Sequence, residues 1–381
     1  MAKVLGVGVI GCGNISAAYM RLAPQFAGIE MRACADINME AAKARATEFG
    51  LKAQTVPELL KNPGIDIIVN LTIPATHFKV SKSILEAGKH VYSEKPLVLS
   101  LAEGKELQRL AKKKGLKVGC APDTFLGGAH QLARKAVDDG VIGKITSGTA
   151  HVMGHGMEHW HPNPDFFFKP GGGPILDMGP YYIANLINLI GPVKRVAALS
   201  GMARKARVIK SEPRKGEKIA VKTPTSIHAL LEFASGAQVT LSASWDVYAH
   251  RHQNMEIYGT EGAMFVPDPN FFGGTVQCAG ADTVVKPLAQ WDHPLGVANQ
   301  DSSQGKVANY RTAGLADMAL AILGKRDARC SLERTLHAVD VMTSILKSGA
   351  TGKFVTLSTT CTRPKALGIA EARALLKRPR R

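Results

Sequence analysis

The stretch Val4-Leu5-Gly6-Val7-Gly8-Val9-Ile10-Gly11-Cys12-Gly13-Asn14-Ile15-Ser16 constrains the fold more than any other part of the chain. An apolar run ends in two glycines one residue apart, and the helix-compatible Ala17-Ala18-Tyr19-Met20-Arg21 follows at once. Strand, glycine turn and helix in that order open a βαβ unit of the dinucleotide-binding kind. Gly11 permits the tight turn and Gly13 lets the backbone approach a pyrophosphate. The first helical amides, around Asn14 and Ile15, bring the positive end of the helix dipole to the same place. Ser16 replaces the usual third glycine and is small enough for close helix packing.

From Lys3 to about Gly119 short apolar runs alternate with polar, Ala- and Lys-rich segments. The runs are Val4–Ile10, Met31–Ala35, Ile65–Thr72, His90–Ser93 and Lys117–Ala121. Met39–Phe49, Val80–Ala87 and Ala102–Lys114 read as crossover helices, so the fold class is α/β with a doubly wound parallel sheet. After Pro122 the rhythm changes. A helix over Gly128–Asp139 leads to a loop rich in His, Pro and Phe, and a second helix covers Ile175–Ile190, stopped by Gly191-Pro192. Alternating strands follow at Ile227–Phe233, Gln238–Trp245, Gln253–Tyr258 and Ala263–Val266, then helices at Tyr310–Leu323 and Leu332–Lys347. Arg204–Lys222 reads as a loop or frayed strand pair, and the tail after Arg363 as short and basic. Two domains are expected: residues 1–122, the dinucleotide-binding domain, and residues 123–381, a second α/β domain for substrate binding.

Asp36 follows the second run, 25 positions after Gly11. An acid there accepts hydrogen bonds from a ribose hydroxyl pair and repels a 2′-phosphate, which Ile37 and Asn38 do not offset, so NAD is favoured over NADP. The competing reading makes Asp36 the cap of the helix beginning near Met39. Thr72-Ile73-Pro74-Ala75-Thr76-His77 and Ser93-Glu94-Lys95-Pro96 follow the third and fourth runs, at the carboxyl ends of strands where open α/β sheets bind ligands. Thr72, Pro74, His77, Glu94 and Lys95 are therefore expected to border the nicotinamide half of the cofactor. Asp123, past the fifth run, is expected to touch cofactor or substrate.

Composition narrows the partners. Lys and Arg exceed Asp and Glu by 17, but the excess is spread along the chain. Its small clusters, Lys112–Lys114 and Lys377–Arg381, contain no interleaved aromatics, which argues against nucleic acid. Six cysteines lie far apart with no Cys-x-x-Cys pair, which fits a reducing cytoplasm better than a disulfide framework or zinc ribbon. No run of about twenty apolar residues spans a membrane.

Taken together, the fingerprint, Glu94-Lys95-Pro96, Gly171-Gly172-Gly173-Pro174-Ile175-Leu176-Asp177-Met178-Gly179, Tyr258-Gly259-Thr260-Glu261-Gly262 and Arg363-Pro364 resemble the glucose-fructose oxidoreductase / inositol dehydrogenase / rhizopine catabolism (Gfo/Idh/MocA) family. The resemblance implies a Rossmann domain followed by an α/β domain with a large, mostly antiparallel sheet, commonly used for subunit association, hence a homo-oligomer. In that family the Lys of Glu-Lys-Pro works with an Asp and a His spaced four apart. Here Asp177 matches the Asp, and Tyr181 stands in the His position. The implied activity is NAD-dependent oxidation of a sugar or polyol hydroxyl.

Such a reaction needs a base for the hydroxyl proton and a pocket that holds the carbinol carbon. Lys95 is the expected base and Tyr181 its partner, with Asp177 orienting a sugar hydroxyl or Lys95. The loop containing His151, His155, His159, Trp160, His161 and Asp165 admits a metal reading, but hydride transfer needs no metal and none is expected. Trp160, His161 and Asp165 are expected to line the sugar pocket, with simple loop packing as the alternative. Two other functions fit the same motifs: a glycosidase that reduces and re-oxidises NAD within one turnover, and a non-catalytic dinucleotide sensor.

Overall fold

The computed structural model describes residues 3–302 and 305–377, leaving positions 378–381 of the basic C-terminal cluster outside the described residues. The chain forms two compact units, each assembled from separate stretches. The first takes the chain up to Gly128, the stretch Asp292–Leu336 and the residues from Pro364 on. The second takes Ala129–Trp291 and His337–Arg363.

In the first unit, β1 (Leu5–Ile10), β2 (Ile29–Ala35), β3 (Lys52–Gln54), β4 (Ile67–Asn70), β5 (His90–Ser93) and β6 (Val118–Cys120) form one parallel sheet in the order β3-β2-β1-β4-β5-β6. This is the doubly wound order, reversing between β1 and β4. Every residue of β1 and β4 is buried, which is why both read as unbroken apolar runs. The sequence reading missed β3, an edge strand of three residues with one buried side chain, too short to show a period.

The crossover helices are α1 (Asn14–Leu22), α2 (Met39–Phe49), α3 (Val56–Lys61), α4 (Pro74–Glu86) and α5 (Leu101–Lys114). Their starts are chemically marked. Asn38 caps α2 by accepting from the Glu40 N–H, and Thr55 with Glu58 and Ser100 with Glu103 form capping boxes. Lys112, Lys113 and Lys114 occupy the last turn of α5, where cations offset the helix dipole. The later helices Ala313–Leu323 and Ile369–Leu375 belong to this unit too. A Cβ on Gly119 of β6 would stand 2.7 Å from Met318 Sδ and 3.1 Å from the Cys330 carbonyl oxygen, so glycine lets the Ala313–Leu323 helix pack closely on this strand. Cys120 N–H also donates to the Cys330 carbonyl, at 3.3 Å.

The second unit is built on a nine-stranded sheet. Its central strand is β7 (Ile145–Met153), parallel to Gln238–Ser244 on one side and antiparallel to Met255–Gly259 on the other. Ser226–Phe233 joins Gln238–Ser244 to β8 (Val193–Gly201), and every pairing but the one parallel pair is antiparallel. Ile227, Ala229, Leu231 and Phe233 point inward and are buried, while His228 and Leu230 face outward. On the buried side Ser348 Oγ accepts from the Ala198 N–H at 2.8 Å, tying the helix Leu332–Thr351 to β8.

The helices α6 (Gly128–Asp138), α7 (Pro174–Asp177) and α8 (Gly179–Leu189) complete this unit. His130 has no exposed surface. Its Nε2 lies 2.8 Å from the Phe271 carbonyl oxygen and its Nδ1 accepts from Asn185 Nδ2 at 3.1 Å. Both contacts are satisfied by neutral imidazole, and burial pushes its pKa down to about 4. Because the cation is opposed only in the folded chain, stability is complete above the ordinary histidine pKa and falls as pH drops toward 4. The loss is roughly 3 kcal/mol. Urea unfolding at both pH values should show this loss in the native protein and lack most of it in His130→Gln; equal losses would remove His130 from the account.

Candidate active site

The glycine turn of the first unit has the shape a pyrophosphate requires. Gly11 has φ +103°, and a Cβ there would lie 2.6 Å from the Leu71 backbone, so no other residue fits. A Cβ on Gly13 would meet nothing within 4 Å. No side chain caps α1, so its first amides, at Asn14 and Ile15, open onto that free space. The fully buried Ser16 donates through Oγ to the Gly13 carbonyl at 2.6 Å. These residues fit a dinucleotide.

Asp36 accepts from the Cys12 N–H at 2.7 Å and from the Asn38 N–H at 2.8 Å. It thus belongs to the glycine turn, and the cap of α2 is Asn38 rather than Asp36. Arg45 carries no sequence signal for this place, since it lies within α2, nine positions beyond Asp36. Arg45 pairs with Glu48 and brings Nη2 to 3.5 Å from the Gly13 carbonyl, placing a cation from α2 beside the turn.

The two loops after β4 and β5 are cross-linked. Asn70 Oδ1 accepts from both N–H and Oγ1–H of Thr72, at 3.3 and 2.7 Å, and Asn70 Nδ2 donates to the His77 carbonyl and to Ser81 Oγ, both at 3.0 Å. Pro74 is the first residue of α4. Glu94 accepts from the Tyr19 hydroxyl at 2.9 Å through Oε1 and from the Lys95 N–H at 3.0 Å through Oε2. Lys95 itself is half-buried.

His77 is only 1% exposed, with both ring nitrogens against backbone carbonyls. Asp123 is equally buried and accepts from the Thr312 and Gly314 N–H groups, at 3.0 and 2.9 Å. It holds the start of the Ala313–Leu323 helix, and burial raises its pKa despite those bonds. Its partners are nearly two hundred residues away in sequence.

In the second unit the expected helix over Ile175–Ile190 is divided. α7 ends at Asp177 and α8 begins at Gly179, because Pro180 has no N–H to continue the hydrogen-bond ladder. Asp177 is half-buried and Tyr181 is 6% exposed. His161 lies within electrostatic reach of Asp177, which opposes the lowering of its pKa by burial. Trp160 leaves 57% of its surface exposed. Asp165 is paired with Arg214, which lowers its pKa, so its carboxylate already has a strong partner.

The histidines do not converge. His151 stacks on His252 and His155 on His159, and among the described residues no group of three or more His, Cys, Asp or Glu is arranged to hold a metal. The segment that carried no readable motif organises this loop. Ala206–Val208 and Lys218–Ala220 form an antiparallel ribbon. From it Arg207 binds Glu158 and Asp246 and lies over the Phe168 ring. Lys210 N–H donates to the Glu158 carbonyl at 2.8 Å and Ser211 Oγ to that of His161 at 2.7 Å.

Residues 5–121 match the oxidoreductase family described as an NAD-binding Rossmann fold, and residues 130–265 match the GFO/IDH/MocA C-terminal domain. An uncharacterized oxidoreductase of Schizosaccharomyces pombe is 31% identical over 41% of this chain and 42% of its own length. A D-xylose dehydrogenase of Paenarthrobacter nicotinovorans is 27% identical over 71% of this chain and 69% of its own. The chain spans about half the length of the first curated relatives it matches. The structure of a levoglucosan dehydrogenase in complex with NADH and L-sorbose superposes with a TM-score of 0.79 at 22% identity, over 94% of this chain and all of that one, which establishes the shared fold. The glycine turn, the doubly wound sheet, the large mixed sheet and both family matches agree: the chain belongs to the Gfo/Idh/MocA family of NAD-binding oxidoreductases.

Proposed function

We propose that the protein is an NAD-dependent dehydrogenase acting on a sugar or polyol hydroxyl. One observation carries the reading: the open, uncapped glycine cradle with Asp36 at its side and Lys95, whose backbone is held by Glu94, follow the carboxyl ends of strands of the same parallel sheet. The names of two relatives, D-xylose dehydrogenase and levoglucosan dehydrogenase, support the substrate class. When bound, the dinucleotide supplies the hydride acceptor. Lys95 takes the proton of the reacting hydroxyl, Tyr181 serves as its partner and Asp177 orients a neighbouring hydroxyl. Trp160 offers an apolar face to the sugar ring, with His161 beside it. Chromatography of sugars incubated with NAD should reveal a lactone or ketone; release of an aglycone with no oxidised sugar would instead favour the redox-neutral glycosidase.

The carboxylate of Asp36 favours NAD, and Arg45 beside the glycine turn moderates the preference. Asp36→Ala is expected to weaken NAD binding about tenfold, as loss of a hydrogen bond to a charged group does, and to relax discrimination against NADP. Fluorescence titrations with NADH and NADPH measure both, and an unchanged ratio would mean the ribose contact is misassigned.

The outer face of the nine-stranded sheet exposes Leu199, Leu230 and Phe354 by 73, 54 and 64%. Apolar exposure of that kind suits a subunit interface, and we assign homo-oligomer formation to it. Sedimentation should find an oligomer that Leu230→Lys weakens; a wild-type monomer at micromolar concentration would remove this interface.

A further inference from the structure

We propose that His77 is the positioning residue for Lys95, a two-ended clip that holds the loops after β4 and β5 together when both ring nitrogens carry protons. This rests on the reading of Lys95 as the base. The geometry is specific. His77 Nδ1 lies 2.6 Å from the Pro96 carbonyl oxygen and Nε2 lies 2.8 Å from the Thr72 carbonyl oxygen. Carbonyl oxygens only accept, and neutral imidazole carries one N–H. A neutral ring therefore satisfies one contact and sets a lone pair against a carbonyl at the other. Imidazolium alone donates to both. The ring is 1% exposed, so water is poorly placed to substitute.

The clip acts on Lys95 through its neighbours in the chain. Glu94 fixes the amino side of Lys95 by accepting its N–H, and His77 fixes the carboxyl side through the carbonyl of Pro96. The backbone of Lys95 is thus held from both directions, while the same ring anchors Thr72, itself tied to Asn70.

Two charged groups act on the ring from the loop after β5: Glu94 favours the imidazolium and Lys95 opposes it. From β4 and α4, the neighbouring Asn70 and Ser81 are neutral. Burial outweighs the two carbonyls and holds the His77 pKa below the ordinary histidine value. The clip therefore closes at both ends on the acid side of neutrality and releases one end as pH rises.

The test uses the full-length protein labelled with 15N. Long-range 15N–1H correlations report the protonation of the ring from about pH 5 to about pH 8, with the His77 ring assigned by through-bond correlation to its own backbone. The Lys95 amide resonance reports the position of its backbone in the same samples. The expected result is a ring protonated on both nitrogens at the acid end, with a Lys95 amide shift of the same midpoint that is missing in His77→Gln. The kcat of the variant should fall about tenfold at the acid end, with the Kd for NADH within a few-fold, as slight misplacement of a reacting group requires. A ring that stays a single neutral tautomer throughout, or a Lys95 amide indifferent to its titration, overturns the proposal. Both readings come from wild-type protein, so they hold if the variant fails to fold. Full turnover by Lys95→Ala would instead defeat the assignment of the base while leaving the clip intact.

Discussion

Lys95→Ala is expected to slow hydride transfer by about a thousandfold, the usual contribution of a positioned general base, and to leave NADH affinity within a few-fold of the native value. The separation follows from where the contacts lie. The cradle is made of Gly11, Gly13, the uncapped start of α1 and Asp36, which follow β1 and β2 rather than β5. Glu94 accepts from the Lys95 backbone N–H, a bond that alanine can also make. Stopped-flow measurement of cofactor reduction, beside a fluorescence titration with NADH, distinguishes the outcomes. A rate within threefold of native would transfer the base role elsewhere, with Tyr181 the next residue to change.

The largest effect on stability is expected at a residue outside any motif. Arg207 has only 5% of its side chain exposed and pairs with Glu158 and Asp246, whose side chains are 10 and 13% exposed. Its Nη groups also donate to the carbonyls of His155 and Trp245, at 3.1 and 2.8 Å. Arg207→Ala leaves two carboxylates buried without their cation, a change that costs about 3–5 kcal/mol. Because Glu158 and His155 lie in the loop that also carries Trp160 and His161, the KM for sugar should rise in any variant that still folds. Denaturant unfolding checks the first effect and steady-state kinetics the second. A loss below about 1 kcal/mol would mean the cluster is solvated and does not anchor the loop.

The parts of the fold that were legible in the sequence are those whose signal is local. β1, the glycine turn and α1 are adjacent in the chain, and the alternation of Val239, Leu241 and Ala243 marked a half-buried strand that the sheet contains. Short elements were not legible: β3 buries a single side chain, and the Ile369–Leu375 helix lay within a tail read as merely basic. The break between Asp177 and Tyr181 was signalled by Pro180, yet the surrounding apolar run suggested one helix. Long-range pairings left no trace at all. Asp123 follows a strand, and its partners Thr312 and Gly314 lie nearly two hundred residues on. Asp165 is similarly paired with Arg214, 49 residues on. The ribbon carrying Arg207 has no motif because its work is done by one buried guanidinium, and a single arginine in a basic segment has no distinguishing pattern.

The most direct test of the central claim is the nicotinamide absorbance of the purified protein incubated with NAD and a panel of aldoses, inositols and glycosides. The account predicts net formation of NADH with at least one sugar or polyol, at a rate that Lys95→Ala abolishes. Tight binding of NAD with no NADH formed from any member of the panel would contradict it.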